Sequence, residues 1–382
     1  MSGYLLFFDI KDLTVSLDGK VLKMQSPNIK TRTFPLIYID QIVVYGNPKI
    51  YCNVWKALGD NGIPALILPS RGKGRPVWIT PGLSTSVMIR KSQNIASENP
   101  ETRDSIIRLL LQHKLEKQLE LIKNFSEWSE IEKNNNHDKD TVSLLNKSLS
   151  KDQLEEYIFK ASESIKNNIA ELTKSSGRDK LMGYEGASAN VWFSLLKQIL
   201  SPEWNFSGRN RRPPKDPINA LLSLSYTMAM TEVYKSVYER GMDPCIGFLH
   251  ADLPGRDSFV LDILEPLRPG ADLFCLNFAM KYIKPSNFSN SKNEGCRLDS
   301  TGRKIYFPNW SSWRLSWPYS FADTNLSNIN DLDVEQEDSD EDFLEKENQL
   351  ENNPFLNQNP KSLRICCLQI IKQVTKCFKN NN

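Results

Sequence analysis

The hydrophobic period of the chain changes once, near residue 94, and that change limits which folds are open to it. Before it, LTVSLDGKVL alternates apolar and polar residues around Asp18 and Gly19. A period of two belongs to a half-buried strand, and an Asp-Gly pair between two such runs marks a tight hairpin. PLIYIDQIVVYG and IPALILPS are further short apolar runs bounded by Pro and Gly, and RGKGRPVW is a basic, glycine-rich loop. Residues 1–93 are therefore expected to form a β-sandwich of two sheets. After the change, ETRDSIIRLLLQHKLEKQLELIKNF places Ile106, Leu109, Leu110, Leu115, Leu119 and Ile122 on one helical stripe. KDQLEEYIFKASESIKNNIAEL and GYEGASANVWFSLLKQIL read as two more helices, with a polar loop at 133–141. The longest helix follows DPINALLSLSYTMAMTEVYKSVYERG, with Asp216 as N-cap, Pro217 in the first turn and Gly241 as terminator. Residues 94–324 are expected to be an all-α-helical domain, which makes the chain α+β.

The tail differs from both parts. Residues 331–351 hold eleven Asp or Glu and one Lys, a net of −10, while the whole chain of 382 residues is +2. The remainder is thus +12, a basic body that suits a polyanionic partner or that balances its own tail for solubility. The acidic, Asn-rich run has too few apolar residues to pack, so 325–360 is expected to be a disordered linker. Beyond Pro360, residues 361–379 read as an amphipathic helix with Leu363, Cys367, Ile370, Ile371, Val374 and Phe378 on one face. Such a stripe is expected to dock on its own protein. The start, MSGYLLFFDIKDL, lacks a basic leader region and carries Asp9 and Asp12 early, and no run approaches the length of a membrane span. Seven cysteines without a CxxC spacing argue for reduced thiols and a cytoplasmic protein.

One segment concentrates groups capable of chemistry. GFLHADLPGRDSFVLDILEP contains His250, one of only three histidines, then Asp262 and Glu265 three residues apart in an apolar run. That spacing sets both carboxylates on one helical face, where they need a compensating cation. Pro266 and Pro269 place the pair near a helix end, where a site can open to solvent. Glu185, in the small-residue run GYEGASAN, is expected at a helix start. Two carboxylates and an imidazole suit magnesium or manganese, whereas no thiolates stand at zinc spacing. Each residue alone also has an ordinary role. Glu185 serves as a cap, His250 as a hydrogen-bonded, partly buried side chain, and Asp262 with Glu265 as a face paired with Arg256 or Arg268.

A second cluster is NFSGRNRRPPKDPINALL. Arg209, Arg211, Arg212 and Lys215 precede the helix capped by Asp216, on a loop stiffened by Pro213 and Pro214. This is a phosphate-binding arrangement or a solvated basic loop. Four phosphate contacts would add roughly −3.6 to the salt slope of DNA binding. Trp192, Trp204 and Phe206 nearby read as core rather than as stacking platforms.

The run FSGRNRRPPKDPINALL closely resembles the CRISPR-associated adaptation integrase family, the first and near-universal Cas protein. GYEGASAN resembles that family's glutamate motif, and GMDPCIGFLH with SFVLDILEPLRPGAD resembles its histidine and acidic motifs. PLIYIDQIVVYG, GIPALILPSRGKG, VMIRKSQ and STGRKIYF extend the similarity over about residues 4–308. The resemblance implies a β-sandwich followed by a helical catalytic domain. It implies a homodimer that works with a dimer of a small ferredoxin-like CRISPR-associated partner. It further implies binding of double-stranded DNA and insertion of short fragments into a CRISPR array by attack of a 3′-hydroxyl. Glu185, His250 and Glu265 fall on the family's ligands for Mg2+ or Mn2+, and Asp262 on an acidic position that some members need. Asn219 and the arginine cluster match motif positions near the site. The insertion at 133–141 and the tail after 324 lie outside the pattern. The tail is open to a role as DNA mimic or linker, and its helix to binding an adaptation partner. Two other functions stay open: a stand-alone nuclease, and a non-catalytic nucleic-acid-binding subunit.

Overall fold

The structure, a computed structural model, describes residues 3–27, 29–69, 74–80, 87–134, 142–210, 213–291, 295–321 and 361–379. They divide into two compact units, one holding residues 3–80 with 311–321 and 361–369, the other 87–310 with 370–379.

The first unit contains strands β1 (Tyr4–Phe8), β2 (Thr14–Asp18), β3 (Val21–Ser26), β4 (Ile29–Pro35), β5 (Ile39–Tyr45) and β6 (Lys49–Ile50). Helix α1 (Cys52–Asp60) and strands β7 (Ala65–Leu68) and β8 (Val77–Ile79) follow. One sheet has the order β1-β5-β7-β8 and the other β4-β3-β2-β6. The Asp18-Gly19 hairpin forms as expected: Asp18 pairs with Val21, and Gly19 takes the left-handed φ of 61° that the tight turn demands. β1, β5 and β7 run parallel, so the chain must cross over between β5 and β7, and α1 makes that crossing. The expectation of strands alone missed α1. Val54 and Leu58 stand four residues apart, as a helix needs to set both into the core. That core fills the space between the sheets with Phe8, Val15, Leu22, Ile42 and Val44. Near the chain's other end, Arg314 donates to Asp40 at 2.6 Å and to the carbonyl of Gly3.

The second unit holds α2 (Val87–Glu98), α3 (Pro100–Asn134), α4 (Lys151–Lys174), α5 (Arg178–Ile199), α6 (Pro217–Glu239), α7 (Ser258–Leu264) and α8 (Arg268–Lys281). A hairpin of β9 (Phe288–Ser291) and β10 (Gly295–Leu298) comes next, then α9 (Ser300–Leu315), whose residues from 311 on belong to the first unit. The unit is therefore mainly helical rather than all-α. The hairpin supports the basic loop, because Cys296 N donates to Pro214 O at 2.7 Å and so props the Pro213-Pro214 turn. Residue 94, where the pattern change was placed, lies inside α2. α3 packs against α4, α5 and α8 and carries the unit's central apolar stripe. α4 opens on a capping box between Ser150 and Gln153. α6 begins at the Asp216 cap with Pro217 in its first turn and stops before Gly241, whose φ is 67°.

Helix α10 (Leu363–Lys379) is divided between the units. Leu363, Cys367, Ile370, Ile371, Val374 and Phe378 are all buried, so the stripe docks on its own chain. The linker expected at 325–360 lies outside the described residues, and so does the polar loop expected at 133–141 apart from residues 133–134, which continue α3. No described helix is long and apolar enough to cross a membrane. The seven cysteines are free thiols, and Trp192, Trp204 and Phe206 are core residues.

Candidate active site

Three segments of the second unit converge on a lysine that the sequence reading passed over. Lys114 lies on α3 among Leu110, Leu111 and Leu115, and it is only 2% exposed. An ammonium at that depth needs carboxylate partners to offset its lost hydration. Its Nζ donates to Glu185 Oε1 at 2.5 Å and to Glu265 Oε2 at 2.7 Å. Burial pulls the Lys114 pKa down, but Glu265 and Glu185 outweigh it and leave the group raised and charged.

Glu185 stands two turns inside α5, not at its start as expected. Gly183 and Gly186 look like breakers in sequence, but the helix begins earlier, at Gly177. There φ is 89° and the N–H donates to Asp104 Oδ2 at 2.6 Å. Leu181, Ser188 and Trp192 bury the inner face of α5, and the Glu185 carboxylate keeps partial access to solvent.

Glu265 follows α7 in a single 3-10 turn, after which α8 continues the helical path. Pro266 and Pro269 do not end the path, because each falls in a first turn, where a missing N–H costs nothing. Asp262 and Glu265 are both buried, so the pair does not lie at an open helix end. Arg268 Nε donates to Glu265 Oε1 at 2.9 Å. Burial alone would raise the Glu265 pKa. Arg268 and Lys114 overcome that and hold it well below the usual carboxylate range.

His250 lies in the loop before α7, as expected. Its Nδ1 is 2.7 Å from Asp262 Oδ1, and since a carboxylate only accepts, Nδ1 carries the proton. In the neutral ring the lone pair is then on Nε2, which is 4.0 Å from Glu265 Oε1. Asp262 also accepts the backbone N–H groups of Phe248, Leu249 and His250 at 2.6, 3.0 and 3.0 Å. It is the organiser of the histidine loop, and its lone pairs are taken up in holding that loop. Gly247 permits the tight approach, since a Cβ there would meet Ser258 Cβ at 2.6 Å. Arg178, in the first turn of α5, donates to the Phe248 carbonyl at 2.8 Å.

Behind Glu265 lies a buried polar network. Arg268 stacks over the Tyr226 ring at 4.5 Å and Arg209 over the same ring at 5.6 Å. Tyr226 donates to Asp272 at 2.5 Å, and burial pushes the Asp272 carboxyl up to about 6. Arg209 also donates to Asn219 Oδ1 at 2.8 Å and to Ser223. Asn219 is fully buried. Its amide donates to Gly208 O and Asp216, and its oxygen accepts from Arg209 and the Asn210 N–H. Asn219 therefore shapes the basic loop, with its amide groups bonded inside the protein. Lys215 is exposed at the loop's end, while Arg211 and Arg212 lie outside the described residues.

Among the described residues, no three His, Cys, Asp or Glu side chains stand together as a formed metal centre. Two carboxylates nonetheless converge on one buried cation, and an imidazole nitrogen stands 4.0 Å from the second of them. That donor set fits a hard or borderline divalent ion, although it is the Lys114 ammonium that stands between the glutamates.

Comparison with known proteins identifies the family. The family model for CRISPR associated protein Cas1 matches residues 6–312. The CRISPR-associated endonuclease Cas1 1 of Thermodesulfovibrio yellowstonii is 30% identical over 81% of this chain and 90% of its own length. The CRISPR-associated endonuclease Cas1 of Korarchaeum cryptofilum is 25% identical over 78% and 83%. Among solved structures, a casposase bound to integration product shares the fold with a TM-score of 0.71 at 18% identity, covering all of this chain and 92% of its own. A Cas1 protein from Thermotoga maritima gives 0.61 at 21% identity over 82% and 89%. A Cas6-RT-Cas1–Cas2 complex gives 0.69 at 17% identity, with this chain covering 35% of the longer one. With a family match over most of its length and relatives aligned nearly end to end, the chain belongs to the Cas1 family of CRISPR-associated proteins.

Proposed function

We propose that this chain is a metal-dependent DNA endonuclease and integrase of CRISPR adaptation. It joins the 3′-hydroxyl of a short DNA fragment to a repeat phosphodiester, and it cuts DNA when water takes the place of that hydroxyl. It acts in the cytoplasm as a homodimer, with a small ferredoxin-like CRISPR-associated partner dimer. The observation that carries the proposal is the meeting of Glu185 and Glu265 on one cation beside His250. Relatives named endonucleases support the cutting activity. Fold neighbours solved with an integration product and in a Cas1–Cas2 complex support strand joining and the partner.

Glu185, His250 and Glu265 would hold Mg2+ or Mn2+. The bound ion would supply a Lewis acid that stabilises charge at the attacked phosphate and favours the ionised nucleophile. The protein's own part is to keep its donors ready. Arg268 keeps Glu265 ionised through the 2.9 Å pair. Asp262 fixes the His250 tautomer that frees Nε2. Lys215 and the loop before α6 contribute positive charge for phosphate.

The test is a strand-joining assay with the full chain and its small partner. A 3′-hydroxyl duplex is offered to a plasmid carrying leader and repeat, in magnesium or manganese. Wild type should join the two, while Glu185→Gln and Glu265→Gln should bind DNA without joining it. Tight DNA binding by wild type with no joining in either metal would reduce the protein to a binding subunit.

A further inference from the structure

The family match ends at residue 312, yet helix α10 of the same chain packs beside both walls of the proposed site. On one side, His113 Nε2 donates to Gln373 Oε1 at 2.7 Å. His113 directly precedes Lys114, whose Nζ meets both glutamates. On the other side, Phe378 lies against Phe248, with ring centroids 5.9 Å apart and planes at 31°. Phe248 in turn meets Phe259 of α7 edge-on at 5.9 Å. The backbone N–H of Phe248 donates to Asp262, the carboxylate that holds His250.

We infer that α10 is a positioning element for the site, with Phe378 clamping the His250 loop and Gln373 steadying the turn of α3 that carries Lys114. Residues 370–379 belong to the same compact unit as the site. Ile370, Ile371 and Val374 are buried there, which anchors the helix independently of the two contacting residues. Phe378 is also a better brace than a polar residue would be. The loop it supports spends its polar groups on Asp262, so apolar packing holds it without competing for those hydrogen bonds. The segment extends the catalytic unit beyond the span that the family match covers.

The inference rests on the metal-site proposal, and its test separates the two. Full-length Phe378→Ala, Phe378→Leu and Gln373→Leu are compared with wild type and with Ile365→Ala, a control at an exposed position of the same helix. Amide exchange is read at Phe248, Leu249 and His250, and binding of manganese alone is read by titration. In Phe378→Ala the three amides should exchange faster, and manganese should bind about five- to tenfold more weakly. Strand joining should lose kcat while the KM for DNA holds. Phe378→Leu should recover most of each effect, Gln373→Leu should weaken manganese binding with the three amides unchanged, and Ile365→Ala should change none. A folded Phe378→Ala protein with wild-type exchange at these amides and wild-type manganese affinity overturns the brace, as does a folded Phe378→Leu protein that loses as much as Phe378→Ala. If wild type itself neither binds manganese nor joins DNA, the metal-site proposal falls, and the exchange comparison alone decides the brace.

Discussion

Lys114 Nζ donates to Glu265 Oε2 at 2.7 Å, and both side chains are almost wholly buried. The ammonium offsets two carboxylates, Glu265 and Glu185, that would otherwise repel each other. A divalent ion held by the same glutamates must move or replace that ammonium. Lys114→Met keeps the bulk of the side chain and removes the charge. It should destabilise the metal-free protein by on the order of 3 kcal/mol, the usual cost of leaving a buried charge unpaired. It should also tighten manganese binding, since no internal cation then competes. Unfolding midpoints with and without manganese, together with a binding titration, check both. Manganese should restore most of the lost stability by mass action.

Asp262 accepts four hydrogen bonds from the His250 loop, one of them from the imidazole itself. Asp262→Asn turns one acceptor oxygen into a donor amide facing other donors. Manganese affinity and strand joining should each fall about 10- to 100-fold, the range for loss of a ligand's hydrogen-bond partner. DNA affinity should stay near wild type. Parallel binding and joining assays separate these effects.

Asp272 and Glu265 give acid stability two opposing contributions. The folded Asp272 carboxyl titrates near 6, above its ordinary 3.8, so between about pH 4 and 6 the native state binds a proton that the unfolded state lacks. Its contribution is therefore fully present below about pH 4 and falls as pH rises through 6, by up to about 3 kcal/mol. Glu265 is shifted down, so its contribution is present above its ordinary 4.5 and is lost on further acidification. Asp272→Asn should flatten the stability curve between pH 4 and 6 and leave the fall below pH 4.5 in place. Chemical denaturation across pH 3–8 in the absence of metal reads both windows.

Lys215 and Asn219 are close in sequence but opposite in environment, one exposed and the other fully buried. Lys215→Ala should leave stability unchanged, weaken DNA binding and reduce the log–log salt slope by about 1. Asn219→Ala should cost about 1–3 kcal/mol of stability, because it takes one hydrogen-bond partner each from Arg209, the Asn210 N–H and Asp216. Thermal melts and salt-dependent DNA titrations of the two variants check this.

What the sequence made legible follows how local each signal is. The Asp18-Gly19 hairpin and the Asp216-Pro217 helix start depend on a few adjacent residues, and both formed as expected. The α10 stripe was legible for the same reason, since its apolar residues repeat every three or four. The start of α5 was misplaced because Gly183 and Gly186 mimic a helix boundary, whereas the true boundary depends on Gly177 meeting Asp104. Asn219 stands in a motif, but a motif does not say which way a side chain points. Lys114 was missed because its role exists only once α3, α5 and the turn after α7 have come together. Its one trace in sequence is a lysine on the apolar face Leu110-Leu111-Leu115, where a solvated lysine has no place.

The central claim, that Glu185, His250 and Glu265 share one divalent ion, is tested most directly by the magnetic signature of bound manganese. The chain has only three histidines, so a histidine nitrogen on the metal is readily assigned. One equivalent of Mn2+ is added to the full chain labelled with 15N-histidine, and electron–nuclear coupling is recorded beside His250→Gln. The account predicts one tightly bound ion coupled to a single imidazole nitrogen, with that coupling absent in His250→Gln. A tightly bound ion with no nitrogen coupling, or with the same coupling in both proteins, would contradict it.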